Sequence, residues 1–397
     1  MKNQLLHTPE GVRDIYNEEC EKKVALQKRL HDILKRYGYH EIQTPTFEFF
    51  DIFGKEIGTI SSKELYKFFD REGNTLVLRP DITPSIARSA AKYFMDEDMP
   101  IRLSYMGNTF INNHSYQGRL KECTQLGAEL IGDNTVDADA EMISMAIESL
   151  KSSGLKEFQI SVGHVDFFRG LMEAAGLNEE EEETIRELIA NKNFFGVEEE
   201  ISAFSMEQNL KNLFGMLGRL YNHASDFSEA KTYAADYPKV YKAIRRLEEL
   251  DAVLKIYDVD KYVTYELGML SSYHYYTGVI FAGYTFGSGE PIVKGGRYDS
   301  LLPYFGKNAA SIGFAFVVDQ LMAAIIRQKI DIPVVHNTQL IVYRKQCQMQ
   351  AILTAKNLRD MKCNVELILW EDGKTKEDFE SYAVRNQISE MTIMDGE

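Results

Sequence analysis

The sequence predicts an α+β fold: a mixed core over residues 1–330, interrupted by a helical insertion at about 179–260 and followed by a small α/β domain over 331–397. Three observations predict it. Apolar residues fall at helical spacing in some stretches and in strand-like runs in others, without strict alternation of the two. Between 179 and 260 the chain changes character and becomes helical and charge-rich. From about Ile332 it starts again as strand, helix, strand, helix, strand.

In chain order, Glu18 to Tyr37 places Leu26, Leu30, Ile33, Leu34 and Tyr37 on one helical face, with Gly38 where a C-cap belongs. YHEIQTPTFE follows. After a polar break, LYKFFDREGNTLVLRPDITPSIARSAAKYF reads as a hairpin through Glu72-Gly73-Asn74 and then a helix opening near Thr83-Pro84. TFINNHSYQGRLKECTQLGAELIG, residues 109 to 132, reads as strand, polar turn and strand. FQISVGHVDFFRGLMEAAGL continues the mixture. The run Glu179 to Glu183 suits an exposed helix start, where the helix dipole favours acid, and PKVYKAIRRLEELDAVLKIY is strongly helical. Strand character returns in YYTGVIFAGYTFGSGEPIVKGGRYDSL, and GFAFVVDQLMAAIIRQKI ends the core as a helix. Past a boundary near Asp331-Ile332-Pro333, the segments TQLIVYR, CQMQAILTAKNLRDMK, NVELILW, KEDFESYAVRNQ and EMTIM predict a small parallel α/β unit.

Composition excludes several classes of function. The 397 residues are 44% hydrophobic and 26% charged, ordinary for a globular protein of two or three domains, and no long apolar run predicts a membrane span. The polar N-terminus lacks the pattern of a secretory leader, so a cytoplasmic location is expected. Cys20, Cys123, Cys347 and Cys363 lie far apart, which predicts neither a zinc site nor a disulfide framework, only reduced, mostly core thiols. A net charge of −15 argues against a nucleic-acid partner, because such affinity rests on clustered Lys and Arg, and only short clusters such as Arg245-Arg246 occur. No phosphate loop, dinucleotide fingerprint or G-x-S-x-G elbow is present, and the eight histidines are scattered. No metal and no cofactor are expected.

Seven stretches in fixed order carry more: TPEGVRDI, EIQTPTFE, LVLRPDIT, GRLKECTQLGAELIG, HYYTGVIFAGY, GGRYDSLLPYFG and ASIGFAF. Together they resemble the catalytic core of histidyl-tRNA synthetases over roughly residues 7 to 325. The resemblance implies the class II synthetase fold, an antiparallel sheet flanked by helices, with a C-terminal domain like a shortened anticodon-binding domain. It also implies a homodimer built through the first class II motif, helix 18 to 37 and the strand around Pro45.

Carried over residue by residue, the resemblance divides the site in two. A synthetase activates its amino acid by attack on the α-phosphate of ATP and needs cations there. In the family's second motif an Arg follows the Phe and a Glu stands two places on, whereas here Phe110 is followed by Ile111 and Asn113 replaces the carboxylate. The third motif's Arg is Gln320, and the Arg that opens the family's R-G-L-D-Y-Y stretch is Ser271. Each such donor supplies roughly 3 to 4 kcal/mol to a transition state, so aminoacylation is expected to be lost and no catalytic residue is assigned. The histidine-holding positions keep polar groups. Glu129, Gln125 and Thr83 suit an ammonium, while Asp81 and Tyr276, beside Tyr275, suit the two nitrogens of an imidazole. The loss of the Arg at Ser271 should weaken the hold on the ligand's carboxylate, and Tyr273 and His274 also depart from the family's residues.

A synthetase core without its ATP cations, with LRPD for the family's LRPE and with T-Q-x-G-x-E, resembles the synthetase-like regulatory subunits of ATP phosphoribosyltransferase. That resemblance implies a non-catalytic protein that joins a short-form catalytic subunit in a hetero-oligomer, activates it, and mediates feedback inhibition when histidine binds. The reaction belongs to the partner: ATP and phosphoribosyl pyrophosphate give phosphoribosyl-ATP, the first step of histidine biosynthesis. The tail is balanced to acidic, so it suits a packing module or partner surface better than an anticodon site. Two other readings stay open on the residues alone. One is a divergent amino-acid-activating enzyme in which Arg119, Lys121 and Arg297 rebuild an ATP site; the other is a tRNA-binding regulatory module. Singly, Tyr275-Tyr276 also reads as a packing pair, and GGRYD as a turn in which Arg297 and Asp299 pair.

Overall fold

The computed structural model describes residues 6–54, 60–113, 120–270, 275–334 and 337–396. The chain divides into two compact units, Met1–Ile332 and Pro333–Glu397.

The first unit opens with α1 (Asn17–Arg36), which buries Leu26, Leu30, Ile33 and Leu34. Glu18 and Glu19 lie at its positive end and Lys35 and Arg36 at its negative end, and Gly38 (φ +82°) lets the chain turn away. Next come β1 (His40–Glu41), β2 (Phe47–Phe49), β3 (Lys67–Phe69) and β4 (Thr75–Leu78), the last three forming a small antiparallel sheet in the order β2-β4-β3. In the β3–β4 turn the Asp70 carboxylate accepts from the Asn74 amide at 2.8 Å, and Gly73 takes φ +87°.

The main sheet is built from β5 (Ile101–Phe110), β6 (Glu122–Ile131), β7 (Phe158–His164), β8 (Leu220–Tyr221), β9 (Val263–Glu266), β10 (Val279–Thr285), β11 (Val293–Arg297) and β12 (Ser311–Val317), together with β1. Its nine strands run in the order β1-β5-β6-β12-β11-β10-β7-β9-β8. All neighbours are antiparallel except β1 with β5 and β7 with β9.

Helices flank this sheet: α2 (Thr83–Tyr93), α3 (Val136–Ser152), α4 (Val165–Ala175), α5 (Glu179–Ala190), α6 (Phe194–Ala203), α7 (Gln208–Phe214), α8 (Ser228–Tyr233), α9 (Pro238–Ile256), α10 (Leu301–Tyr304) and α11 (Val318–Arg327). The sequence analysis assigns no element to α3, which is buried along nearly its whole length. The expected insertion comprises α5 to α9, but it is not wholly helical, since β8 joins the edge of the main sheet. Nor is it an appendage. Leu247, Leu250 and Leu254 of α9 belong to the same apolar core as Ile143 of α3 and Phe167 of α4. α5 begins with a capping box in which Asn178 and Glu181 satisfy each other's backbone amides, so the Glu179 to Glu183 run is a helix start.

The second unit contains β13 (Thr338–Tyr343), α12 (Gln348–Asp360), β14 (Asn364–Leu369), α13 (Lys376–Arg385) and β15 (Glu390–Met394). Its three strands are parallel in the order β14-β13-β15. Alternation along β13 divides the packing: Ile341 clusters with Ala351 and Ala355 of α12, and Leu340 and Val342 with Phe379 of α13. Among the described residues no helix is long and apolar enough to cross a membrane, and no group of His, Cys, Asp and Glu is gathered as a metal ion requires.

Candidate functional site

One face of the main sheet is built to be hollow. Its pairing register aligns Leu103, Glu129, Gly313, Gly296 and Ile280 in a row across β5, β6, β12, β11 and β10, and beside it Tyr105, Gly127, Ala315, Lys294 and Ala282. Glycine and alanine in the middle of both rows leave a low floor between the larger side chains. The glycines are required there: a Cβ on Gly313 would lie 1.5 Å from Glu129 Oε2, and one on Gly296 would lie 2.9 Å from the Tyr276 ring. Over this floor is a cavity of about 150 Å³.

The walls come from separate elements. Arg79, after β4, donates to the carbonyls of Thr44 and Asn108, both at 2.9 Å, and so fixes the turn that presents Asp81 and Thr83 at the start of α2. Glu129 and Gln125 project from β6, two residues apart from Gly127 on either side. Tyr275 and Tyr276 stack edge to face with centroids 4.9 Å apart. Asp81, Thr83, Gln125, Glu129, Tyr275 and Tyr276, the six residues expected to hold histidine, all line this one cavity.

Electrostatically the cavity is acidic and desolvated. Glu129 is 1% exposed and accepts three hydroxyls: Thr83 at 2.9 Å, Tyr105 at 3.1 Å and Tyr298 at 2.6 Å. Burial nevertheless dominates and pushes its carboxyl up to about 8, with the nearby Asp81 adding to the rise. Burial also raises the Asp81 carboxyl, against the Tyr275 hydroxyl that donates to it at 3.1 Å. Gln125 Oε1 is buried with no hydrogen-bond partner among the described residues, an acceptor aimed at whatever the cavity takes. Cys123 also lines the cavity; burial holds its thiol at about 12, so it stays protonated. It is half-buried, as are Cys20 and Cys363, and of the four cysteines only Cys347 is a fully buried core residue, fewer than composition suggested.

The ATP-site positions fall differently. Ile111 lines the cavity with an apolar side chain, whereas Asn113 and Gln320 are not among its lining residues. Ser271, with Tyr273, His274 and Arg119, lies outside the described residues. Arg297 does not serve a phosphate site. Alternation along β11 turns it to the opposite face of the sheet, where it is buried and bonds Asp139 at 2.6 Å and the Asp133 carbonyl at 2.9 Å. The Arg297–Asp299 pair is present at 3.4 Å, but the closer bond to Asp139 makes Arg297 chiefly a tie between β11 and α3. Lys121 donates its amide to the Gly11 carbonyl at 2.7 Å and packs its stem against Gly11.

Sequence reasoning missed Tyr105, Tyr298 and Lys294. Tyr298 stands within GGRYD and Lys294 just before it, but the approach of Tyr298 to Glu129 and the place of Lys294 in the cavity wall depend on strand register, which no local motif displays.

Similarity to known proteins agrees with this geometry. The histidyl-tRNA synthetase family pattern matches residues 11–321. An ATP phosphoribosyltransferase regulatory subunit of Acetivibrio thermocellus is 40% identical over 367 residues, 92% of this chain and 88% of that one. The chain belongs to this regulatory subunit family. A solved structure titled ATP phosphoribosyltransferase regulatory subunit/histidyl-tRNA synthetase, from Bacillus halodurans, shares the family fold at 30% identity and a TM-score of 0.87, covering 99% of both chains. The histidyl-tRNA synthetase of Nostoc, at 17% identity and a TM-score of 0.79, shares the fold alone. Members of the family thus keep the class II architecture, the large antiparallel sheet flanked by helices, that the motif order implied.

Proposed function

We propose that this chain is the non-catalytic regulatory subunit of a short-form ATP phosphoribosyltransferase in the cytoplasm, which it joins in a hetero-oligomer and activates, and that histidine bound in the cavity inhibits the assembly. The observation that carries the sensor is the gathering of six polar side chains over a glycine and alanine floor, with Ile111 where an ATP cation would stand and Arg297 on the far face. Glu129, Gln125 and Thr83 take the ligand's ammonium; Asp81 and Tyr276 take the imidazole. Among the described residues no arginine lines the cavity, and a site without phosphate-binding arginines has no means to activate an amino acid; in this reading the chain senses histidine and leaves the chemistry to its partner. Inhibition is a coupling between two sites: histidine lowers activity only by binding the less active assembly more tightly. The chain also forms a homodimer, through α1 and the strands after it.

The test is phosphoribosyl-ATP formation by a short-form catalytic subunit, with and without this chain and with and without histidine. Activity that appears on mixing and falls with histidine supports both parts of the reading. Activity indifferent to histidine removes the sensor and keeps the subunit. No stimulation sinks the proposal, and binding of uncharged tRNA with a steep salt dependence would replace it.

A further inference from the structure

We infer that Lys294 is the residue that binds the carboxylate of the amino acid taken by this cavity, the role that the arginine replaced at Ser271 would otherwise fill. The inference rests on the histidine reading above and deepens it.

Position comes first. β11 alternates its faces: a Cβ on Gly295 would run into the Phe281 ring and the Phe314 Cβ of the core, while one on Gly296 would meet Tyr276 of the cavity. Val293 is fully buried in the core, so Lys294, between Val293 and Gly295, points to the cavity side with Gly296. It lines the cavity. Its cross-strand neighbours there are Ala315 and Ala282, both small.

Charge comes second. Two carboxyls, Asp81 and Glu129, lie in the cavity wall, and among the described lining residues Lys294 supplies the one formal cation. Glu129 stands on β6 and Lys294 on β11 with β12 between them, two strand spacings across the sheet and two residues along it, so the acid and the base are about 12 Å apart at the backbone. Side chains reaching inward from both ends leave between them a gap of the length of an amino acid's backbone end. An α-amino acid presents opposite charges on neighbouring atoms, and a site with acids at one side and a lysine at the other reads that pair. Lys294 also borders an adjoining hollow lined by Tyr276, Tyr284 and Glu290, which gives a rival role, pairing with Glu290.

Calorimetric titration of the full-length chain with histidine and with histidinol, which keeps the amine and imidazole but lacks the carboxylate, separates these roles. The variants are Lys294→Met, which keeps length without charge, and Lys294→Arg. Losing a charge-assisted bond to the carboxylate should weaken histidine binding to Lys294→Met roughly 10- to 100-fold, with histidinol changed less than about twofold and Lys294→Arg keeping most of the affinity. Equal losses for both ligands, or no loss for histidine, overturn the inference and assign Lys294 to Glu290 or to shaping the wall. If the unaltered chain binds neither ligand, the histidine reading itself falls and takes the role of Lys294 with it.

Discussion

At the scale of single residues, the unusual group is Glu129. Its carboxyl is held at about 8 by burial, against an ordinary 4.5, even though three hydroxyls donate to it. Because the folded value lies above the unfolded one, the stability Glu129 contributes is fully present below about pH 4.5 and is lost as pH rises through about 8. Glu129→Gln has no such proton to lose. Urea denaturation at pH 5.5 and 8.5 should therefore show the wild type losing stability relative to Glu129→Gln as pH rises; a gap that stays constant would mean the carboxyl titrates normally. A ligand ammonium stabilises the ionised form, so histidine should bind more tightly toward the upper end of the same range. The polar positions Asp81, Thr83, Gln125, Glu129, Tyr275 and Tyr276 were legible because each sits in a short stretch with a family counterpart. Tyr105, Tyr298 and Lys294 were not, because only the register of β5, β6, β12 and β11 brings the two tyrosines to Glu129 and Lys294 to the cavity wall.

At the scale of elements, Asp139 joins three pieces of the core. Fully buried on α3, it receives Arg297 of β11 at 2.6 Å and Arg246 of α9 at 2.7 Å. The insertion is thereby tied to the sheet that carries the cavity. Replacing one member of a buried ion cluster leaves the others uncompensated, so Asp139→Asn should cost about 3–5 kcal/mol in urea unfolding, and a loss below about 1 kcal/mol would show that solvent reaches the arginines. The same elements explain what was readable. α1 declared itself by one apolar stripe, Leu26, Leu30, Ile33 and Leu34, and by charges matched to its dipole. α3 buries Ala138, Met142, Ile143, Met145, Ala146 and Ile147 over more than half its circumference, leaving Asp137, Glu148 and Lys151 on an exposed edge, so no narrow stripe stands out to read. β8 is two residues long, too short for any period, and it exists only because β9 is there to pair with it.

At the scale of the whole molecule, the feature that calls for a partner is the small sheet β2-β4-β3. Phe47, Phe49, Phe68 and Phe69 are 51%, 56%, 37% and 72% exposed, and the Phe47 and Phe68 rings pack edge to face 5.7 Å apart. Neighbouring aromatic rings held in water by a regular sheet are unusual for a monomer, and aromatic residues are enriched where proteins meet. Only the β2 half of the patch, Phe47 and Phe49, follows directly on Pro45, in the segment assigned to self-association from the sequence; the exposure of Phe68 and Phe69 on β3 could not be read, since the run LYKFFDR looks equally like a buried strand. The dimer should appear in sedimentation equilibrium as a species of twice 45.5 kDa. Phe69→Asp places a charge in the patch and should shift the population toward the monomer without changing the unfolding midpoint of that monomer. Because β2 runs on from the segment that Arg79 grips at Thr44, and Arg79 also fixes the Asp81 turn, loosening the patch has a route to the cavity, and the same variant should weaken histidine binding. A wild type that sediments at 45.5 kDa would remove the dimer and leave the four phenylalanines as the surface most suited to a different chain.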